Sequence, residues 1–371
     1  QMTEYDGKKK VYRFLFAGGG TGGHLFPAVA VAEKIKSKIP DAEILFVGSK
    51  SKIEGKVVPA LGFRFSPIWI KGFRRRFSVQ NILFPIKLIV SLMQSIAINM
   101  RFKPQVAIGS GGYAAGPAIY ASSLLRAKVI LLEQNSYPGV TTRMLEKYAD
   151  EIHISFEDSK KYLKNVEKIF TTGTPVRESL KSIDKTSALK NFGLDPLKKT
   201  LLVLGGSLGA ASINEAVSGL INFFMEKDIQ VIWQTGNYYF PKYKHLSSKN
   251  IIVKDFIKEM NFAYSACDLL LARSGASTIA ELLTLVIPAI LVPSPNVAAN
   301  HQYFNAKSLA DKNAAILVED YLLKDKLSEI LSSVLFDDEK LEQLKINARK
   351  LSKPDAAEII ANRAIKFAEE S

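Results

Sequence analysis

Cysteine is almost absent. Cys267 is the only one among 371 residues, so the chain can build neither a disulfide framework nor a thiolate-rich metal site, and a reducing compartment is expected. Histidine is scarce too: His24, His153, His245 and His301 show no H-E-x-x-H spacing and no accompanying carboxylate pattern. That argues against a catalytic metal held by the chain. No apolar run reaches the roughly 18 uninterrupted residues that span a bilayer. The greasiest region, ILFPIKLIVSLMQSIAINM from Ile82, is broken by Pro85, Lys87, Ser91 and Gln94. The start QMTEYDGKKK is polar, and the short apolar segment after it lacks the length of a signal peptide, so a soluble or peripheral protein is expected.

Acidic charge is also missing where it would be expected. Residues 55–132 contain no aspartate or glutamate but eleven lysines and arginines, in a chain whose formal net charge is +14. The first half therefore carries a positive field. Such a field attracts nucleic acid, anionic lipid or a phosphorylated substrate, and sign alone does not choose among them. A solvated basic face without a partner is the plain alternative.

Apolar residues, at 47%, are ample for burial, and the length favours two domains. Beta-branched or apolar runs recur with helical patterns between them: VYRFLFAGG, AEILFVGS, QVAIGSGG, KVILLEQN and EIHIS, then TLLVLGG, QVIWQTG, NIIVKDF, DLLLARSG, PAILVPSP and AAILVE. The alternation predicts an α/β architecture with parallel sheets, in two tandem Rossmann-type domains. The expected division is 1–172, a linker at 173–190 around Gly173 and Pro175, and 191–352. A final helix over 353–371 follows, for which packing back on the first domain is open.

Three glycine turns follow strand patterns. In FAGGGTGGHLFP, Gly18, Gly20 and Gly23 spell the dinucleotide fingerprint G-x-G-x-x-G. That fingerprint needs an acidic residue about 20 positions on, at the end of the second strand. Here Glu43 stands at the strand's start instead, which argues against NAD, and the absence of GxxxxGK[ST] argues against an ATP cradle. What remains is a loop whose backbone can approach an anion at a helix N-terminus, with His24 at the helix start and Thr21 beside it. GGSLGA adds Ser207, and GSGGYAAGP adds Tyr113, a hydroxyl or a stacking face for a sugar. Glu133 either points at a ligand or organises loop amides. LARSGASTIAE carries Thr278 and Glu281, and HQYFNA carries His301 and Gln302 as sugar contacts or helix caps.

Taken in order from Val11 to Leu317, FAGGGTGGHLFP, GSGGYAAGP, EQN, GTPVR, GGSLGA, WQTG, DFIKEMNFAYSACDLLLARSGASTIAE and HQYFNA resemble the MurG family of bacterial glycosyltransferases. The resemblance implies a GT-B fold, two Rossmann-like domains with parallel sheets facing a central cleft. It implies inverting transfer of N-acetylglucosamine from UDP-N-acetylglucosamine to the C4 hydroxyl of the lipid I muramoyl group, giving lipid II and UDP. No cofactor and no protein-bound metal are implied. On the donor side it points to Phe256 and Ile257 at uracil, Met260 beside the nucleotide and Glu281 at the ribose. Ser207 and Thr278 are implied at the diphosphate, and Arg177 and Gln302 as further donor contacts. On the acceptor side it points to Thr21, Gly22, Gly23, Tyr113 and Asn135, with His24 as base or proton-path residue and Glu133 as the alternative base.

Leu208, Thr174 and Thr142 depart from the family's usual glutamine, asparagine and asparagine. The implied partners are the donor, lipid I and anionic phospholipid of the cytoplasmic leaflet, with other cell-wall synthesis proteins left open. The implied location is peripheral, on the cytoplasmic side of the bacterial membrane. Arg74, Arg75, Arg76 and Lys87, interleaved with Trp69, Phe73, Phe77, Ile82, Leu83, Phe84 and Ile86, suit such a surface. A transferase with another lipid or glycosyl acceptor is the neighbouring alternative. A non-catalytic basic protein binding phospholipid or nucleic acid is the remote one, and no alternating aromatic and basic pattern supports nucleic acid.

Overall fold

The computed structural model describes residues 10–70, 84–206, 208–297 and 300–371. The chain divides into two compact units, residues 1–177 with 354–371, and residues 178–353.

In the first unit the strands are β1 (Arg13–Gly18), β2 (Glu43–Gly48), β3 (Arg64–Pro67), β4 (Val106–Gly111), β5 (Lys128–Glu133), β6 (Glu151–Ile154) and β7 (Ile169–Thr171). They form one sheet in the order β3-β2-β1-β4-β5-β6-β7, with every pair parallel. The interior strands are nearly continuous apolar runs because helices cover both faces, which is why their sequences do not alternate. Phe16 stacks on Phe46 across β1 and β2 with ring centroids 5.0 Å apart.

The second unit holds β8 (Thr200–Leu204), β9 (Gln230–Gln234), β10 (Ile251–Lys254), β11 (Leu269–Ala272), β12 (Ala289–Leu291) and β13 (Ile316–Leu317), in the order β10-β9-β8-β11-β12-β13. The α/β expectation therefore holds in both halves. β3 and β7 were not expected. They are the two edges of their sheet, and RFSP and IFT are too short and too mixed to read as buried strands.

In each sheet the strand order reverses beside the first strand, between β1 and β4 and between β8 and β11. Loops leaving the carboxyl ends of such strands form the usual ligand crevice of a doubly wound sheet. The glycine turns after β1, β4 and β8 all lie there.

The helix after β1 runs Gly22–Lys38 and so begins at the glycines. Pro27 falls in its second turn. There the missing N–H leaves the Gly23 carbonyl without its helical partner, next to His24.

The final helix, Ala356–Glu369, buries Ile360, Ala361, Ala364 and Ala368 in the core shared with β1, β2 and the Gly22–Lys38 helix. Glu358 pairs with Lys34 and Lys38 of that helix. Arg363 grips the buried Glu151 of β6 with its fork, Nε lying 2.8 Å from Oε1. Glu151 also meets His153 Nε2 at 3.0 Å. Burial raises the Glu151 pKa, but the hydrogen bonds and charges of His153 and Arg363 outweigh it and hold the carboxyl at about 2, against an ordinary 4.5.

A depressed carboxylate stabilises the fold above its unfolded pKa, and that contribution is lost as pH falls through the folded value. The Glu151 contribution is thus complete above pH 4.5 and disappears towards pH 2. It amounts to about 3 kcal/mol. Acid titration followed by circular dichroism should show unfolding in this window, and Arg363→Met should move it to higher pH. An unchanged acid midpoint in Arg363→Met would refute this account.

Candidate active site

At the β1/β4 reversal, His24 sits in the first turn of the Gly22–Lys38 helix. Its Nδ1 lies 3.2 Å from the Gly19 carbonyl and 3.3 Å from Thr21 Oγ1. The carbonyl can only accept, so this contact selects the tautomer with the proton on Nδ1. Nε2 then carries the basic lone pair. The ring packs closely against the loop after β4: a Cβ at Gly111, whose φ is +102°, would stand 2.7 Å from His24 Cδ2. Only glycine allows that approach.

Ser110 Oγ donates to the His24 carbonyl at 2.6 Å, and Gly19 N–H donates to the Gly111 carbonyl at 3.3 Å. These bonds lock the two glycine turns together. Thr21 is the N-cap of the helix but its side chain caps no amide. The first N–H groups, including those of Gly22 and Gly23, therefore head the helix unclaimed by a cap, as an anion site requires. Tyr113 projects from the same turn, 52% exposed.

Glu133, at the end of β5, is buried and saturated. Its Oε1 accepts from Asn135 N–H at 3.0 Å and Asn135 Nδ2 at 3.3 Å, and its Oε2 accepts from Gly139 N–H at 2.9 Å and Thr142 Oγ1 at 2.6 Å. Of the two roles open to Glu133, the structure builds the loop-organising one, and it orients Asn135. Thr142 joins that network through its hydroxyl. Thr174 makes a hydroxyl contact with Ser155. Arg177 NH2 donates to Glu33 on the Gly22–Lys38 helix at 3.1 Å, while its buried Nε has no partner among the described residues.

In the second unit, Gly275 caps the helix Ala276–Leu285 in an extended conformation with no side-chain cap. Thr278 stands in the first turn and Glu281 one turn on. Tyr264 OH donates to Glu281 Oε2 at 2.6 Å. Burial raises the Glu281 pKa, and the Tyr264 hydrogen bond offsets this only in part. A carboxylate this poorly hydrated gains strongly from further hydroxyl donors.

Gln302, in the helix His301–Ala310, accepts from Ser294 N–H through Oε1 at 2.9 Å, which assigns Nε2 as the outward donor. A side chain at Gly275 would begin 3.9 Å from that Nε2, so Gln302 reaches the head of the Thr278 helix. Ser274 Oγ donates to the Gln302 carbonyl at 2.7 Å and fixes this approach.

After β10, Phe256 is half exposed and Ile257 is buried. Their N–H groups donate to Asp255 Oδ1 at 2.7 Å and Gln234 Oε1 at 2.8 Å. Met260 opens the helix Met260–Ala266, which also carries Tyr264. Gln302 thus stands at the head of the helix that carries Thr278 and Glu281, and Glu281 is tied through Tyr264 to the helix that Met260 opens. Ser207 and Arg74 to Arg76 lie outside the described residues, as do Phe73, Phe77, Ile82 and Leu83. Among the described residues, no group of three or more His, Cys, Asp or Glu side chains is placed to hold a metal.

Residues 14–154 match the glycosyltransferase family 28 N-terminal domain, and residues 200–360 match its C-terminal domain. A Flavobacterium psychrophilum protein is 41% identical over 361 residues, covering 96% of this chain and 98% of its own length. A Bacteroides thetaiotaomicron protein is 43% identical over 369 residues, covering 97% and 99%. Both are named UDP-N-acetylglucosamine--N-acetylmuramyl-(pentapeptide) pyrophosphoryl-undecaprenol N-acetylglucosamine transferase. The chain belongs to glycosyltransferase family 28, in its MurG branch.

The crystal structure of Acinetobacter baumannii MurG superposes with a TM-score of 0.77 at 25% identity, over 96% of this chain and 99% of that one. The calicheamicin glycosyltransferase CalG4 superposes at 0.73 with 12% identity, over 98% and 99%, a likeness of fold alone. The fold is thus GT-B in the family 28 form.

Three residues that organise this family 28 site escaped the sequence reading. Glu54 is 2% exposed and accepts from Gly20 N–H at 2.8 Å and Ser49 N–H at 2.9 Å. It therefore brings a carboxylate to the ends of β1 and β2 from beyond the strand, turned inward to the loops. The contact with Gly20 spans 34 positions, so no local motif announces it. Gln234 donates from Nε2 to the Gly206 carbonyl at 3.2 Å while accepting from Ile257, joining the β8 turn to the segment after β10. Its signal was WQTG. Arg273 holds Asp320, Ser212 and the Val292 and Pro293 carbonyls, and so joins the segments that follow β8, β12 and β13.

Gly209 must stay bare, since a Cβ there would fall 2.0 Å from the Thr235 carbonyl oxygen. Leu208 beside it is 82% exposed, and its side chain offers the site no hydrogen-bond donor.

Proposed function

We propose that this chain transfers N-acetylglucosamine from UDP-N-acetylglucosamine to the C4 hydroxyl of undecaprenyl-pyrophosphoryl-N-acetylmuramoyl-pentapeptide, with inversion, forming a β-1,4 disaccharide and releasing UDP. The observation that carries this is the end-to-end similarity to relatives bearing that activity in their names.

The chemistry of each unit supports the reading. His24 Nε2 takes the proton of the attacking C4 hydroxyl as the bond to the anomeric carbon forms. The unclaimed amides at the head of the same helix hold the acceptor diphosphate. Asn135 and Tyr113 contact the acceptor sugar. In the second unit Glu281 accepts from the ribose hydroxyls, and Phe256, Ile257 and Met260 frame the base. Thr278, Ser207 and the N-terminus of the Ala276–Leu285 helix meet the charge developing on the departing UDP. Gln302 and Arg177 contact the donor.

The lipid acceptor accounts for the helix Phe84–Phe102, whose Ile86, Ile89, Met93 and Met100 are exposed. None of the described helices is long and apolar enough to cross a membrane. We read this face as the peripheral contact with the cytoplasmic leaflet that carries the acceptor.

Purified protein given labelled UDP-N-acetylglucosamine and lipid I should form lipid II. Activity only with a different lipid or glycosyl acceptor would move the protein to the neighbouring reading. No transfer to any acceptor, under conditions active for a control enzyme, would remove the transferase reading altogether.

A further inference from the structure

A cavity of about 570 Å³ opens in the first unit, lined by Arg13, Arg64, Arg101, Lys103 and Glu43 with an apolar wall that includes Leu45, Ile98 and Phe102. Its place in the fold separates it from the candidate active site. Arg13, Glu43 and Arg64 are the first residues of β1, β2 and β3, whereas the glycine turns leave the opposite ends of the same sheet. A six-residue strand puts roughly 17–20 Å between the two.

Four cations here face one carboxylate. Glu43 Oε2 meets Arg13 Nε at 3.1 Å and Arg64 NH1 only at 4.0 Å. The Arg64 guanidinium lies over the Phe102 ring at 5.7 Å, which holds it at the wall. Arg101 lies in the last turn of the helix Phe84–Phe102 and Lys103 just past its end, and neither side chain makes a hydrogen bond or ion pair among the described residues. Lys103 adopts a left-handed φ of 52°, a conformation that L side chains disfavour. Uncompensated positive charge is thus concentrated in a concave site within the usual size of small-molecule pockets, about 300–1,000 Å³.

We propose that this cavity binds a phosphate-bearing ligand, with Arg64, Arg101, Lys103 and Arg13 around the phosphate and the body of the ligand against Leu45, Ile98 and Phe102. Guanidinium forks match phosphate oxygens two at a time. The apolar wall selects an organic phosphate ester over a bare ion. Two sources share this chemistry, the headgroup of an anionic phospholipid and a soluble phosphate ester. None of its residues belongs to the glycine turns or to the donor set, but Ile98, Arg101 and Phe102 lie on the helix read above as the membrane contact, so the phospholipid outcome rests on that reading and the glycerol 3-phosphate outcome does not.

The test uses two probes on the full chain: glycerol 3-phosphate by calorimetry, and vesicles of phosphatidylcholine alone or equimolar with phosphatidylglycerol by flotation. Arg64→Ala/Arg101→Ala should weaken binding about tenfold or more. Glu43→Gln, which removes the competing carboxylate, should tighten it. Lys147→Ala/Lys161→Ala removes the same charge elsewhere on the unit and should change little, and circular dichroism checks that every variant folds. Saturable glycerol 3-phosphate binding lost in the arginine variant supports the site with a soluble ester as its ligand. Loss confined to the phosphatidylglycerol vesicles supports it with a lipid headgroup. An equal loss in the lysine control, no gain in Glu43→Gln, or no binding of either probe by the natural chain overturns the proposal.

Discussion

His24→Ala is expected to lower kcat by about 10²–10⁴-fold while leaving the dissociation constant for UDP essentially unchanged. The ring is held by the Gly19 carbonyl at 3.2 Å and pressed against Gly111, so its position is set before any ligand arrives. A group so placed contributes as a base when its unprotonated nitrogen faces the reacting hydroxyl, and the Nδ1 contact leaves that role to Nε2. Every donor residue named above except Arg177 belongs to residues 178–353, a separate compact unit, so UDP should not sense the change. His24→Gln keeps a hydrogen-bonding side chain without the base, and it should remain as slow as the alanine variant. Steady-state kinetics with lipid I and titration with UDP decide it. A variant that keeps its turnover but loses UDP would reverse the roles assigned to the two units.

Glu281→Ala is expected to weaken UDP binding by about 10- to 100-fold, with kcat at saturating donor much less affected. The carboxylate is poorly hydrated and has one oxygen tied to Tyr264 OH at 2.6 Å, so hydroxyl donors from a ribose would replace water it scarcely has. Because burial raises its pKa, donor affinity should fall on acidification at a higher pH than for an ordinary glutamate. Binding stabilises the ionised form, which fixes the sign: affinity is full above the raised pKa and declines below it. Alanine also strands the Tyr264 hydroxyl, at a cost of about 1–3 kcal/mol. Tyr264→Phe therefore separates lost ribose contact from lost support. It should leave most of the UDP affinity in place, and if it matched Glu281→Ala the ribose role would fall.

The elements written most plainly in the sequence were those whose signal is local. Runs such as FLFA and LLVL read as buried parallel strands because both faces are covered, and the glycine turns after them marked the strand ends. The edges β3 and β7 escaped because an edge strand needs few apolar residues and takes its shape from its neighbour's hydrogen bonds. The helix after β1 begins at Gly22 and Gly23, residues whose helical preference is weak and whose conformation the surrounding loops impose, so its start was not legible from propensity. Glu133 shows another limit. Its residue type and its place after a strand suit a base as well as a loop organiser, and only its four hydrogen-bond partners separate the two. Glu54 was invisible for the converse reason, since a carboxylate six residues past its strand returns to the strand ends only when the intervening turn folds.

By itself the sequence determined the α/β class, the two glycine-turn halves, the family, and the residue types able to bind a phosphate and move a proton. These depend on the order of short segments, where periodicity and backbone freedom act over a few residues. The tertiary structure alone decided which tautomer His24 presents, that Glu133 is spent on its loop, that Glu54 braces the β1 turn, and that Arg13, Arg64, Arg101 and Lys103 meet around one cavity. Each of those depends on hydrogen bonds or charges between residues far apart in the chain, and such contacts exist only once the sheet has set its strand order.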